Sequence, residues 1–381
     1  MRVLTLIIAI TCCALSAPAR AAECDPNNRG GSSSHPDDSL SAGPPSIALR
    51  GRPEADDVGA SIIFDEHLLT DPKRDRDYNG GGEVTFSGDT ALHRGRWLDE
   101  LLNFMDQQFG IGRSCSTNEW PPAHALAAGL LVFTPSDLQT RHVVLGDRPY
   151  ASLFFVSIGR RYTTSNLNVA YDSSLTVGML GLAAAESVQH ALHGLTDSTQ
   201  PKGWSHQISA GGEPTARYSL ARQALLTEYQ QPGWGFDGKW TVAASLGTVT
   251  ETSIALSMRW GRISSPWWAF TPEQNTYVQE TQPGPPRLLA HSTSEFFTLF
   301  GARFKLRAYN AFLEGQFRDS DLRYSWDGVN HALGEAWAGF EFRTSAGLEL
   351  RYLARWESPE LQHGIGSRSI VWGSLELAKS F

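Results

Sequence analysis

From Ala123 to its last residue the chain returns repeatedly to one pattern, in which apolar residues alternate singly with polar or small ones over segments of about ten residues. Phe154, Val156, Ile158 and Tyr162 oppose Ser157 and Gly159; Trp240, Val242, Ala244 and Leu246 oppose Thr241, Ala243, Ser245 and Gly247. Ile254, Leu256, Met258 and Trp260 oppose Ser253, Ala255, Ser257 and Arg259, and Leu348, Leu350, Tyr352, Ala354 and Trp356 oppose Glu349, Arg351 and Arg355. A period of two belongs to strands with unlike faces. Apolar residues outside, polar or small ones inside and aromatics near the ends match an all-β, transmembrane antiparallel β-barrel with aromatic girdles. A soluble β-sandwich alternates too, but turns its apolar face inward. The final strand sets Val371, Leu375, Leu377 and Phe381 against Ser374, Glu376 and Ser380, and its aromatic carboxyl end looks like the signal that outer-membrane barrels present to the assembly machinery.

The segments number one more than an even-stranded barrel allows, so one is a bend or a merger, and about twelve strands are expected. Short helices should sit in the loops. The pattern from Trp97 to Phe109 predicts an amphipathic helix outside the strand set, with core packing as its role. Ala60, Ile62 and Phe64 alternate with Ser61, Ile63 and Asp65, a first strand with Asp65 on its more polar face, and a second strand is expected around Gly82 to Ser87.

Residues 1–21 run from Met-Arg through an apolar stretch to Ala19-Arg20-Ala21, the form of a secretory signal, and no later run is long and apolar enough for a membrane helix. Residues 22–57, rich in Gly, Ser, Pro and Asp, read as a flexible leader, and residues 58–381 as the barrel domain. Cys12 and Cys13 fall in the signal, which leaves Cys24 and Cys115 for at most one bridge. A formal charge of −8 argues against nucleic acid as a partner.

One stretch stands apart from the strands. The stretch from Glu186 to Gln207 opens as a helix on which Gln189 and His193, four residues apart, share a face, so that a carboxamide stands beside a base-capable imidazole. Pro201 and Gly203 end the helix and Trp204 anchors the following loop; the bland alternative is that His193 only caps or packs it. His190 and His206 invite a metal-cluster reading, against ordinary surface histidines.

Several stretches together resemble one family, the outer-membrane lipid A 3'-O-deacylases of Gram-negative bacteria. They are Asp65, Asp75-Arg-Asp-Tyr-Asn-Gly80, Phe133-Thr-Pro-Ser-Asp137, Asp147-Arg-Pro-Tyr-Ala-Ser152, Gln189 with His193, Gly203-Trp204 with Gln207, Glu213-Pro214 and Trp372 to Phe381. The resemblance implies a twelve-stranded barrel in the outer membrane that hydrolyses an acyl ester of lipid A in the outer leaflet of lipopolysaccharide, with calcium as cofactor and a histidine as base. The chain departs from the family's pattern in having Phe64-Asp65 where Asn-Asp is usual, Tyr78-Asn79-Gly80-Gly81 where the first loop usually has Tyr-Thr-Asn-Gly, and Ser198-Thr199 where an acidic residue is expected.

On this reading His193 takes a proton from water, while calcium, held by Asp65 and the side-chain carbonyl of Gln189, polarises the ester. Phe64 is then expected to leave the cation with fewer oxygens. A serine nucleophile from Ser187 or Ser205, as in outer-membrane phospholipases, is an alternative, although neither lies in a Gly-x-Ser-x-Gly elbow. Lys73, Arg74 and Arg76 are candidates for the lipid A phosphates, or else solvated loop charges. A barrel that has lost activity and serves in structure or transport is the reading from another class.

Overall fold

The computed structural model describes residues 59–66, 76–111, 122–163, 168–196, 198–275, 277 and 294–380. The signal, the leader, Cys24, Cys115, Lys73, Arg74 and Phe381 lie outside the described residues. Strands β1 (Gly59–Glu66), β2 (Asp77–Ser87), β3 (Ala123–Thr134), β4 (Ala151–Thr163), β5 (Val169–Leu180) and β6 (Glu213–Gln231) follow one another around the wall. The circuit continues with β7 (Trp234–Gly247), β8 (Val249–Arg262), β9 (Glu295–Asn310), β10 (Ala332–Arg343), β11 (Leu348–Glu357) and β12 (Ile370–Ser380). Each strand pairs antiparallel with the next, and β12 pairs back onto β1 from Gly59 opposite Ser380 to Glu66 opposite Gly373. The barrel is thus closed with twelve strands.

β2 begins five residues earlier than the alternation predicts, because Gly80 takes φ +136° at a bulge between Tyr78 and Gly80 that carries pairing through the glycine run.

Gln231–Trp234 and Arg343–Leu348 are tight hairpins at the end that carries Gly59 and Ser380. Residues 135–150, 181–212, 311–331 and 358–369 form longer connections at the other end. Short periplasmic turns and long outer loops are the rule for outer-membrane barrels, which places Gly59 and Ser380 on the periplasmic side.

The alternation sorts as the sequence pattern predicts. Ile254, Leu256 and Trp260 are exposed on the outer face of β8, while Ser257 and Arg259 are buried within. The lumen is filled. Glu335 accepts from Lys305 at 3.0 Å, Arg355 at 2.8 Å and Arg303 at 3.1 Å, and Lys305 also reaches Glu357 at 2.6 Å. After β8 the chain turns back into the barrel through two short 3-10 turns, Trp267–Ala269 and Pro272–Gln274. Arg303 donates to the Glu273 carbonyl at 2.6 Å and Arg355 to that of Pro272 at 2.8 Å, while the Glu273 carboxylate takes Thr241 at 2.9 Å and Ser257 at 2.8 Å. Tyr277 reaches the far rim, packing on Tyr78 and Phe133 and donating to Glu360 at 2.7 Å. The space beside this segment, among the described residues, includes a cavity of about 40 Å³ lined by Asp172, Arg217, Glu251 and Arg303. That is room for a few waters.

Helices α1 (Asp89–Arg94) and α2 (Arg96–Gln108) connect β2 to β3, α3 (Ala184–Thr196) lies between β5 and β6, and α4 (Ala311–Glu314) follows β9. Only one flank of α2 packs as predicted: Leu98 and Leu102 are buried, whereas Trp97, Leu101, Phe104 and the following Phe109 are exposed.

Glu335→Leu removes a carboxylate shared by three buried cations and is expected to cost on the order of 3–5 kcal/mol. A lower temperature for loss of the compact, unheated form in detergent gels checks it.

Candidate functional site on the outer wall

The site begins with two neighbouring strands. On β3, Leu131 and Phe133 belong to the lumenal core, so Leu130 and Val132 face outward; their partners on β4 are Phe154 and Ser152. These outward residues sit at the outer-loop end of the wall, and α3 covers them. Ala185 of the helix, Trp204 beyond it, and Leu138 and Tyr150 of the preceding loop pack with Val132, Leu130 and Phe154 into one cluster. Gly203 is required by the fit: a Cβ there would stand 2.6 Å from the Tyr150 ring.

The two expected site residues of α3 are both buried in this seam. Gln189 is 4% exposed, and its Oε1 accepts the indole N–H of Trp204 at 2.9 Å. Indole nitrogen donates only, so the bond fixes which way the carboxamide points. Its Nε2 is buried with no hydrogen-bond partner among the described residues, a costly arrangement for a donor unless a ligand completes it. One turn on, His193 places Nδ1 2.6 Å from the carbonyl of Thr199. A carbonyl only accepts, so in the neutral ring Nδ1 carries the proton and Nε2 is the accepting nitrogen. The chain turn that brings Thr199 back is held by the amide of Ser198 on the His193 carbonyl at 3.0 Å. Ser152 donates to Gln207 at 3.0 Å on the same face.

The remaining expectations separate. Asp65 stands on the lumenal face of β1, where its Oδ2 accepts from the buried Tyr78 hydroxyl at 3.1 Å. Phe64 points outward, 39% exposed, in the row that runs across the wall through Gly82, Leu130 and Phe154. Position 64 therefore shares a face with α3 and position 65 does not, since neighbours on a strand point to opposite sides. Asp65 and Gln189 cannot fill one calcium shell, and among the described residues no three acidic, His or Cys side chains gather as a metal site. His190 bonds the Pro201 carbonyl at 2.8 Å, and His206 bonds Asp321 at 2.5 Å and the Arg141 carbonyl at 3.0 Å, so neither joins His193. Ser187 and Ser205 are exposed, unlike His193. Arg76 is half-buried where the chain enters β2.

Sequence reasoning treated Trp204 as an apolar anchor and missed its N–H as the group that orients Gln189. It also left the Asp147 motif without a job. Asp147 accepts from the Ser136 amide at 2.8 Å and hydroxyl at 2.5 Å, from the Arg148 amide at 2.8 Å, and pairs with Arg368 at 2.8 Å. Arg368 in turn holds Asp77 at 2.9 and 2.6 Å. Three outer-rim segments are thereby tied together beside the helix. No spacing in the sequence pairs residue 77 with residue 368.

An outer-membrane type of barrel with a packed lumen, bearing a buried carboxamide and imidazole between a loop helix and its lipid-facing wall, is the class these features define. The chain belongs to the family described as outer membrane protein LpxR, which matches residues 8–381. It is therefore a protein of the Gram-negative outer membrane. Among solved structures it is similar to LpxR from Salmonella typhimurium, with a TM-score of 0.65 at 12% identity, over 85% of this chain and 100% of that one. The β domain of the Bordetella autotransporter BrkA matches 86% of this chain and 100% of its own at a TM-score of 0.39 and 10% identity. No curated protein sequence matches the chain.

Burial would raise the pKa of Asp147, but the Ser136 donors, Arg368 and the Arg148 amide outweigh it and hold the carboxyl below the ordinary range. The native state then binds fewer protons than the unfolded chain, so the brace contributes fully above about pH 4 and is lost as the pH falls below it. Protease cleavage of the outer loops is expected to rise in acid in the wild type, and to be raised already at neutral pH in Asp147→Asn.

Proposed function

We propose that this protein hydrolyses an ester-linked acyl chain of lipid A in the outer leaflet. The observation that carries the reading is the place of Gln189 and His193: they lie between α3 and the lipid-facing side of the wall, at its outer end, where a lipid arrives sideways without entering the lumen. Family membership supports the same substrate class.

His193 Nε2 takes a proton from water as that water attacks the ester carbonyl, and Nδ1–H on Thr199 steadies the imidazolium that results. Charge develops on the carbonyl oxygen. The buried Nε2–H of Gln189, on the far side of the carboxamide from the Trp204 bond and without a partner among the described residues, is our assignment for its donor. Collapse of the tetrahedral intermediate expels the sugar oxygen, which recovers the proton from His193, leaving a free fatty acid and a sugar hydroxyl. Asp65 and Gln189, the donors expected for calcium, stand on opposite faces of the wall. Arg76, with Lys73 and Arg74, is our assignment for the headgroup phosphates, and β12, with the chain end beyond it, for recognition by the barrel-assembly machinery.

His193→Ala is expected to lower turnover by roughly 10²–10⁴-fold, and Gln189→Leu by roughly 10²–10³-fold, with assembly of the barrel intact. Asp65→Asn should stay within a few-fold of wild type, since its side chain lies across the wall. Mass spectra of lipid A from a host making each variant are the measurement. Full activity in Gln189→Leu, or its loss in Asp65→Asn, would overturn the assignment of the oxyanion donor.

A further inference from the structure

The outer wall carries a second covered patch, at the periplasmic end, and it has nothing to do with the ester chemistry. Arg160, Tyr162, Ser173 and Tyr218 lie on outward positions of β4, β5 and β6, in the alternation of Ile158, Leu175 and Leu220. An arginine on a lipid-facing strand is expensive. Helix α2 removes the expense by lying across the patch. Its Asp99 takes both arms of the Arg160 guanidinium, Nε at 2.5 Å, and Asn103 accepts another N–H at 2.7 Å. Asp106 accepts from Ser173 at 2.8 Å, Tyr218 at 2.9 Å and Tyr162 at 3.2 Å. Leu98 and Leu102 pack on Ile158, Leu175 and Leu220 between these anchors.

Covering the wall in this way gives α2 an outside of its own. At 100° per residue, Trp97, Leu101 and Phe104 fall on one flank next to the wall-facing side, with Trp97 63% and Phe104 60% exposed. Gln108, on the same flank, folds its amide back to the Phe104 carbonyl at 3.4 Å. Arg96, Glu100 and Gln107 form the third flank, where Arg96 and Glu100 pair at 3.0 Å. A helix with one side on protein, one apolar and one charged is built for the edge of a bilayer. The apolar flank is continuous with the lipid-facing band: Phe86 of β2 shares a cross-strand row with Leu126 and Ile158, and it and Val156 of β4 are exposed beside the helix.

We propose that α2 is an interfacial helix whose Trp97, Leu101 and Phe104 are immersed in phospholipid acyl chains of the periplasmic leaflet, with Arg96, Glu100 and Gln107 among the headgroups. The occupant of the exposed flank is lipid rather than a partner protein, because the flank extends a surface that already faces lipid.

The test is spin-label accessibility in the full barrel, reconstituted in phosphatidylethanolamine and phosphatidylglycerol bilayers. Leu101→Cys, Phe104→Cys, Glu100→Cys and Gln107→Cys are each labelled with a nitroxide in a background lacking Cys24 and Cys115, with Val156→Cys as the acyl-chain reference. All these positions are exposed or half-exposed, so the labels do not disturb the core, and the heat-sensitive gel shift confirms folding. Labels at 101 and 104 are expected to match Val156, colliding with oxygen and shielded from a water-soluble nickel chelate, and those at 100 and 107 to show the reverse order. Chelate access at 101 and 104 equal to that at 100 would overturn the proposal by placing the helix in water. Shielding from both reagents would overturn it by showing a protein cover.

Discussion

The seam between β1 and β12 is the constraint from which the rest of the molecule follows. A lipid bilayer offers no hydrogen bonds, so an open sheet edge inside it would leave a column of amides and carbonyls unpaired. Closure from Gly59 opposite Ser380 to Glu66 opposite Gly373 removes the last edge. It also divides the molecule into two chemical worlds. Away from the bulges, successive side chains on a strand alternate between the lumen and the outer face of the wall.

That division explains why the candidate site is assembled as it is. Phe64 and Asp65 are one bond apart in sequence and on opposite sides of a membrane wall, so only one of them can cooperate with α3. The lumenal place of Asp65 makes it part of a packed aromatic core with Tyr78, Phe133 and Trp372. Gln189 and His193 lie on the opposite, lipid-facing side of the wall, buried in the seam under α3. The lumen is filled by ion pairs and a re-entrant segment. Buried pairs of this kind repay their desolvation only when each charge is multiply bonded. Glu335, with three cationic donors, meets that condition.

The two helices laid against the outside of the wall solve related problems at its two ends. Each covers outward positions of β3 to β6 that depart from a plain apolar face, Ser152 under α3 and Arg160, Tyr162 and Ser173 under α2. At the outer end the cover leaves the Gln189 Nε2 without a hydrogen-bond partner among the described residues. At the periplasmic end every named polar group is satisfied, and the apolar residues turned outward are those of the covering helix.

Much of this was readable in the chain alone. Single-residue alternation is a local property, and a strand keeps it wherever it packs, so the all-β class, the outward Trp260 and Trp356, the helix carrying Gln189 and His193, and their shared face all followed from spacing. The motifs from Asp147 to Ser152 and from Gly203 to Gln207 were legible as a family resemblance, but their jobs were not. Those depend on partners far apart in the chain, such as Ser136 and Arg368 on Asp147, or Trp204 on Gln189. Amphipathic spacing in α2 likewise told that one flank would be buried and stayed silent on whether the other met water or lipid. Alternation said that Phe64 and Asp65 part company; only the closed barrel, with α3 docked on its outside, decided which of the two shares a face with Gln189 and His193, because a face acquires an identity from what packs against it and not from the residues that line it.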